Sequence, residues 1–166
     1  MTLYKVQPTI NKNKASLAFV EELNGKNYYF RGQKQTDWQP ITLSWNLDYK
    51  SLDKLSRQDF SLIIGAGVNL VLNKKAKLAV EQLFKEDAEY LPINVKNESD
   101  NYYLLNVINN VEDALALEYC EFRIRRNGEP GALKKAVFDE SKAPDNRIFI
   151  TSLKSTDAMF KGESLK

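Results

Sequence analysis

Residues 102–108 read Tyr-Tyr-Leu-Leu-Asn-Val-Ile, an almost unbroken apolar run between the polar stretch 97–101 and the pair Asn109-Asn110. This is the pattern of a central strand covered on both faces, and it demands a sheet with neighbours on either side and packed layers above and below. Several segments qualify as those neighbours. Residues 90–96 (YLPINVK) put Leu91, Ile93 and Val95 on one face, with Pro92 implying an edge or an opening position. Residues 2–7, 26–31, 41–45, 69–72, 119–126 and 147–152 also alternate or run apolar over strand lengths, and 134–138 reads as a return strand after the Asn127-Gly128-Glu129-Pro130-Gly131 loop. Residues 16–23 suit a strand or a helix. Only 74–86 has clear helical spacing: Ala76, Val80, Leu83 and Phe84 share a face and Asn73 is an apt N-cap. Three lysines in its first turn oppose the helix dipole, so burial must hold it. Shorter helices are expected at 51–57, after Asn110, and from Ser155 to Phe160. No regular βαβ repeat appears. The expectation is an α+β fold, mostly antiparallel sheet with one main amphipathic helix and one or two short ones.

The 166 residues suffice for one domain with a substantial core, and we expect residues 1–166 to form it, with 1–60 the part that pattern assigns least. Apolar residues make up 43% and charged residues 28%, which excludes disordered, collagen-like and mucin-like classes. No apolar run approaches the ~20 residues that cross a bilayer, and the first residues lack a signal-peptide pattern. The single cysteine, Cys120, has no internal disulfide partner. These features point to a cytoplasmic protein. The absence of histidine removes the commonest general base near neutral pH and, with one cysteine, the usual zinc ligands. Carboxylate, lysine or magnesium chemistry survives that test. Ile64-Gly65-Ala66-Gly67 lacks the remainder of any phosphate-loop motif and reads as a turn. Neither a cofactor nor a metal is expected.

Charge is distributed unevenly. Residues 1–80 carry 12 basic and 6 acidic side chains, and residues 81–166 carry 12 and 16. Ten of those acids lie within 81–121, opposed only by Lys85 and Lys96. Glu86, Asp87 and Glu89, then Glu98 and Asp100, then Glu112 and Asp113 occupy three polar turns between consecutive elements. If these turns met at one end of the sheet, they would create a negative field suited to a basic protein surface and repellent to nucleic acid. Trp38 and Trp45, in less regular sequence, are the candidate exposed anchors. The opposing reading rests on Arg123, Arg125 and Arg126 with Lys134 and Lys135 across a hairpin, which could touch phosphates. A pI near 8.5 gives it little support.

From residue 69 to 152 the order of blocks is NLVLN, KKAKLAVEQLF, YLPINVK, YYLLNV, VEDALALEYC and RIFIT. This succession, above all YYLLNV followed by VEDAL, resembles a family of immunity proteins from bacterial polymorphic-toxin systems. Relatives often carry a second acid where this chain has Ala116. The resemblance implies a non-catalytic cytoplasmic inhibitor that binds a cognate toxin and occludes its active site. Glu86, Asp87, Glu89, Glu98, Asp100, Glu112, Asp113, Trp38 and Trp45 are then the candidate toxin-interface residues. No membrane partner is expected. The alternatives are a carboxylate-dependent, metal-assisted hydrolase and a small-ligand or nucleic-acid-binding module.

Overall fold

A computed structural model describes residues 2–6, 16–19, 30, 32–46, 59–63, 70–145, 147–151 and 158–162. In chain order the elements are β1 (Thr2–Val6), β2 (Ser16–Phe19), β3 (Thr42–Asn46), β4 (Phe60–Leu62), β5 (Leu70–Asn73), α1 (Lys74–Val80), β6 (Ala88–Val95) and β7 (Tyr102–Val107). Two 3₁₀ turns follow, Glu112–Ala114 and Leu117–Tyr119, then β8 (Glu121–Ile124), β9 (Pro130–Lys135), β10 (Arg147–Phe149) and β11 (Ala158–Gly162). The fold is α+β and dominated by antiparallel sheet. Six strands run in the order β2-β3-β6-β7-β5-β4, three in the order β1-β11-β10, and β8 pairs with β9. The β3–β6 pair is parallel. Among the described residues no helix is long and apolar enough to cross a membrane. The strand expected at 26–31 falls, apart from Phe30, outside the described residues, as do the turn at 65–67 and the short helix at 51–57.

The YYLLNV run becomes β7, flanked by β6 and β5 and buried on both faces. On one face Leu17, Leu43, Trp45, Val71, Leu91, Ile93, Val95, Tyr102 and Leu104 form a core covered by Phe30, Trp38 and Ile41. On the other, Leu70, Leu72, Leu105 and Val107 meet Ala76 of α1, Phe84, and Ile148, Ala158 and Phe160 of the three-stranded sheet. That small sheet turns Phe149 and Met159 outward onto Ala114, Ala143 and Phe138. It is thus sandwiched between the large sheet and the segment 111–143.

Four expectations change. The main helix stops at Val80 rather than near residue 86. Glu81 and Phe84 still donate backbone bonds to Lys77 and Val80, but Asp87 and Ala88 both donate to the Phe84 carbonyl, closing a turn that feeds β6. Burial of Phe84 as a plug in the core dictates that turn. Second, residues 158–160 form a strand rather than a helix, because Ala158 and Phe160 fill one core and Met159 the other. Third, Asn110 does not cap a helix. Val111 occupies the N-cap position, and the Asn110 amide donates to Glu112 (2.7 Å). Fourth, the return strand begins earlier, at Pro130.

Pro92 lies in an interior strand, yet its position has the edge character that proline needs. β3 pairs only with Asn94 and Val95, so beside Pro92 that side of β6 has no partner strand. The exposed carbonyl of Pro92 accepts the Trp38 indole N–H instead (2.8 Å). Asn73 caps α1 as expected, accepting from Ala76 N–H (2.8 Å). The charge conflict at the helix start is relieved by Asp59. Its carboxylate takes bonds from Lys75 and Asn73 (both 2.9 Å), and these hold its pKa below the usual value. Lys77 lies over the rings of Tyr90 (5.4 Å) and Tyr103 (5.3 Å) and pairs with Glu81, seating the helix on the sheet.

Candidate functional site

The three acidic turns do not converge. β6 and β7 are antiparallel neighbours, so residues 86–89 and 109–113 share one end of the sheet while 97–101, the hairpin turn between the strands, occupies the other. An eight-residue strand separates the two ends by roughly 25 Å. The single seven-acid patch is therefore corrected to two groups, because an even number of strand passes returns the chain to the end it left.

Three of the seven acids serve the fold. Asp87 is buried and receives Arg147 bidentately, with Nε 2.8 and 3.1 Å from its two oxygens and Nη2 also bonded. This holds the guanidinium pKa above its ordinary value. The Asp87 carbonyl also receives the backbone N–H groups of Ile108 and Asn109, fastening the start of β6 to the end of β7. Glu89 accepts from the Gln35 N–H (3.0 Å) and from Asn106 (2.8 Å), whose amide donates as well to the Gln33 carbonyl (2.8 Å). Together they pin the 32–41 segment across the sheet. Glu98 accepts the Trp45 indole N–H at 2.7 Å.

Neither tryptophan is an exposed anchor. Trp45 is buried, edge-on to Tyr102 at 6.0 Å, because β3 turns its odd positions into the core. Trp38 is half-buried and edge-on to Phe30 at 5.7 Å, and it helps cover that same core. Asp100 is exposed and borders an open groove of about 410 Å³ with Asn73, Lys74, Lys75 and Leu78.

What remains is Glu86 beside the Asp87–Arg147 pair, with Glu112 and Asp113 at the same end. The segment that follows presents side chains outside the sequence candidates. Leu117 is 52% exposed and Tyr119 69% exposed, with the exposed Glu118 between them. These large side chains sit on the second 3₁₀ turn, whose backbone closes through Tyr119 N–H to Ala116 O and Cys120 N–H to Leu117 O. The Leu115–Phe138 bridge and the Ala116–Val137 bond anchor the turn to the core and leave its outer face open. Sequence did hold a signal here. In VEDALALEYC the apolar residues Ala114, Leu115, Leu117 and Tyr119 outnumber the places one short turn can bury.

β8 and β9 then leave the body as a two-stranded arm, and on it Ile124 is 69% exposed. The alternation of Cys120, Phe122 and Ile124 against Glu121, Arg123 and Arg125 does not produce a buried face. The β8–β9 register shifts at two places, and no layer covers the ribbon among the described residues. Glu121 pairs with Lys134 (3.4 Å) and Lys135 (3.5 Å), which holds its carboxyl below the usual range. Among the described residues no group of three or more Cys, Asp or Glu is placed to hold a metal.

The chain matches no known family model and no curated protein.

Proposed function

We propose that this protein is a non-catalytic immunity protein that binds a cognate bacterial toxin in the cytoplasm and occludes its active site. The observation that carries the reading is the pair of exposed side chains Leu117 and Tyr119, in a segment that also exposes Glu112, Asp113 and Glu118. An exposed aromatic and an exposed aliphatic side chain in an acidic segment have the composition of a seat for a basic protein surface. The aromatic supplies the desolvated anchor, and the charge supplies steering and orientation. Glu86 extends the same field along the end of the sheet. The resemblance of YYLLNV and VEDAL to immunity proteins supports the class. Tyr119 and Leu117 replace the two tryptophans as proposed anchors.

The test is co-expression with the product of the neighbouring toxin gene. A stable complex and rescue of toxin-expressing cells are expected. Tyr119→Ala should raise the dissociation rate at least tenfold. The triple reversal Glu112→Lys, Asp113→Lys and Glu118→Lys should slow association most at low salt. Wild-type protection by both variants, or survival of cells that lack the protein, overturns the proposal.

A further inference from the structure

We infer that the outer edge of β8 is a docking site for an extended segment of another protein. That segment alternates acidic and apolar residues and adds to the β8–β9 ribbon as a third strand. The partner selected here is acidic, whereas the seat at Leu117 and Tyr119 selects a basic one, so neither reading depends on the other.

The hairpin's own hydrogen bonds define the edge. Arg125 N–H donates to the Glu129 carbonyl (2.9 Å), which turns the Arg125 backbone toward β9. Successive residues of a strand alternate in direction, so Arg123 also faces β9 while the peptide groups of Phe122 and Ile124 face away. No described residue bonds to those outward groups, and no further strand pairs with β8 among the described residues. β9 offers no comparable edge. From the pair Phe122 and Leu133 to the pair Ile124 and Pro130, β8 advances two residues while β9 covers three. From Glu121 and Lys135 to Phe122 and Leu133, β8 advances one while β9 covers two. Both extra residues therefore bulge from β9, and Pro130 has no N–H to give. Bulges and proline close an edge to pairing, and β8 has neither.

The two faces of the ribbon differ in chemistry. A Cβ on Gly131 would fall 3.1 Å from Arg125 Cγ and 3.5 Å from Arg125 Nε, so the Arg125 side chain lies on the face to which that Cβ would point. Arg123, two positions earlier, shares this face. Both arginines are exposed, and neither makes an ion pair with a described residue. Glu121, the third β8 side chain there, is already held by Lys134 (3.4 Å) and Lys135 (3.5 Å). The opposite face is apolar: Phe122 is paired with Leu133 and Ile124 with Pro130. Phe122 and Leu133 are half-buried, whereas Ile124 is 69% exposed.

One kind of strand complements the edge and both faces together. Its main chain pairs with Phe122 and Ile124, its acids meet Arg123 and Arg125, and its apolar residues cover Ile124. A second copy of β8 does not fit. Two-fold antiparallel pairing of β8 with itself keeps each face on its own side and sets arginine against arginine. A nucleic acid would satisfy the arginines but leave the outward peptide groups and Ile124 without a complement.

The probe is a fluorescein-labelled peptide of about eight residues alternating Glu and Val, titrated against the purified full chain with no toxin present. Fluorescence anisotropy should show binding at micromolar to sub-millimolar concentration. Affinity should fall at least tenfold for an alternating Lys and Val peptide, and for one with Glu and Val in separate blocks. Arg123→Glu combined with Arg125→Glu should reverse the preference in favour of the Lys and Val peptide, which a misfolded arm would not do. Peptides N-methylated only at the Glu positions or only at the Val positions should differ in affinity, because one set of amides alone faces β8. In the wild-type chain, amide hydrogen exchange should be fast at Phe122 and Ile124 and should slow on peptide binding. Failure of the Glu and Val peptide to bind overturns the inference. So does equal binding of the Lys and Val peptide, or a complex in which Phe122 and Ile124 still exchange freely. A labelled DNA strand or duplex that binds more tightly than the peptide and displaces it would overturn it as well.

Discussion

The β6–β7 and β8–β9 hairpins are both antiparallel ribbons joined by short polar turns, yet they meet opposite fates. β6 and β7 carry Leu91, Ile93, Val95, Tyr102, Leu104, Leu105 and Val107, and they become the middle of a six-stranded sheet with cores on both faces. β8 and β9 carry Arg123, Lys134 and Lys135 among few apolar residues, and they stand apart as a two-stranded arm. Their turns are equally well formed. Asn97 adopts the left-handed conformation at φ 63° in one, and Gly128 does so at φ 83° in the other. Turn chemistry makes a hairpin, and the apolar load of its strands decides whether the hairpin is interior or free. Acids divide in the same way. Those beside buried strands, Asp87, Glu89 and Glu98, are bound into the fold, whereas Glu112, Asp113 and Glu118 face outward.

Matched truncations probe that contrast most strongly. Leu104→Ala removes a fully buried side chain from β7 and should cost about 2–5 kcal/mol in urea unfolding. Ile124→Ala on the arm should stay within about 0.5 kcal/mol. Equal losses would mean that the arm packs onto the body. Arg147→Ala comes next, because it strands the buried Asp87 carboxylate. Breaking such a pair costs about 3–5 kcal/mol when both partners are buried, and the half-exposed guanidinium places this case at or below the lower bound. Glu89→Ala frees the Gln35 N–H and one Asn106 bond, so a loss of about 1–3 kcal/mol should accompany faster proteolysis within residues 32–41. The corresponding Glu118→Ala should leave stability unaltered.

The smallest effect concerns alkali. Burial, with a contribution from Glu81, pushes the Tyr90 hydroxyl up to about 12 from an ordinary value near 10, and the hydroxyl has no hydrogen-bond partner among the described residues. The unfolded chain therefore releases this proton before the folded one does. Stability linked to Tyr90 is complete below pH ~10 and declines as pH rises through 10 to 12. Tyr90→Phe should remove that part of the decline and be neutral or slightly stabilising near pH 7, since it deletes an unsatisfied buried hydroxyl. A denaturation series across pH 8–11 reads both outcomes.

Legibility tracked how local the governing physics was. The YYLLNV strand, the Asn73 cap, the polar turn at 97–101 and the Gly128 loop were readable because composition and backbone preference act over a few residues. The helix end at Val80 and the strand at 158–160 were not, because each depends on a core assembled from distant parts of the chain. At the candidate site, sequence identified the acidic stretch but not its division into two ends. It also favoured Trp38 and Trp45 as anchors, when the large sheet claims both.

The sequence by itself determined that this chain builds a layered sheet around one almost wholly apolar strand, that histidine-based chemistry is closed to it, and that its acids crowd into residues 81–121. Tertiary structure alone decided which of those acids face water and which aromatic protrudes. Exposure follows from what packs above a residue, and that covering layer comes from elsewhere in the chain. Asp87 is paired because Arg147 arrives from β10, and Tyr119 is bare because nothing arrives at all among the described residues.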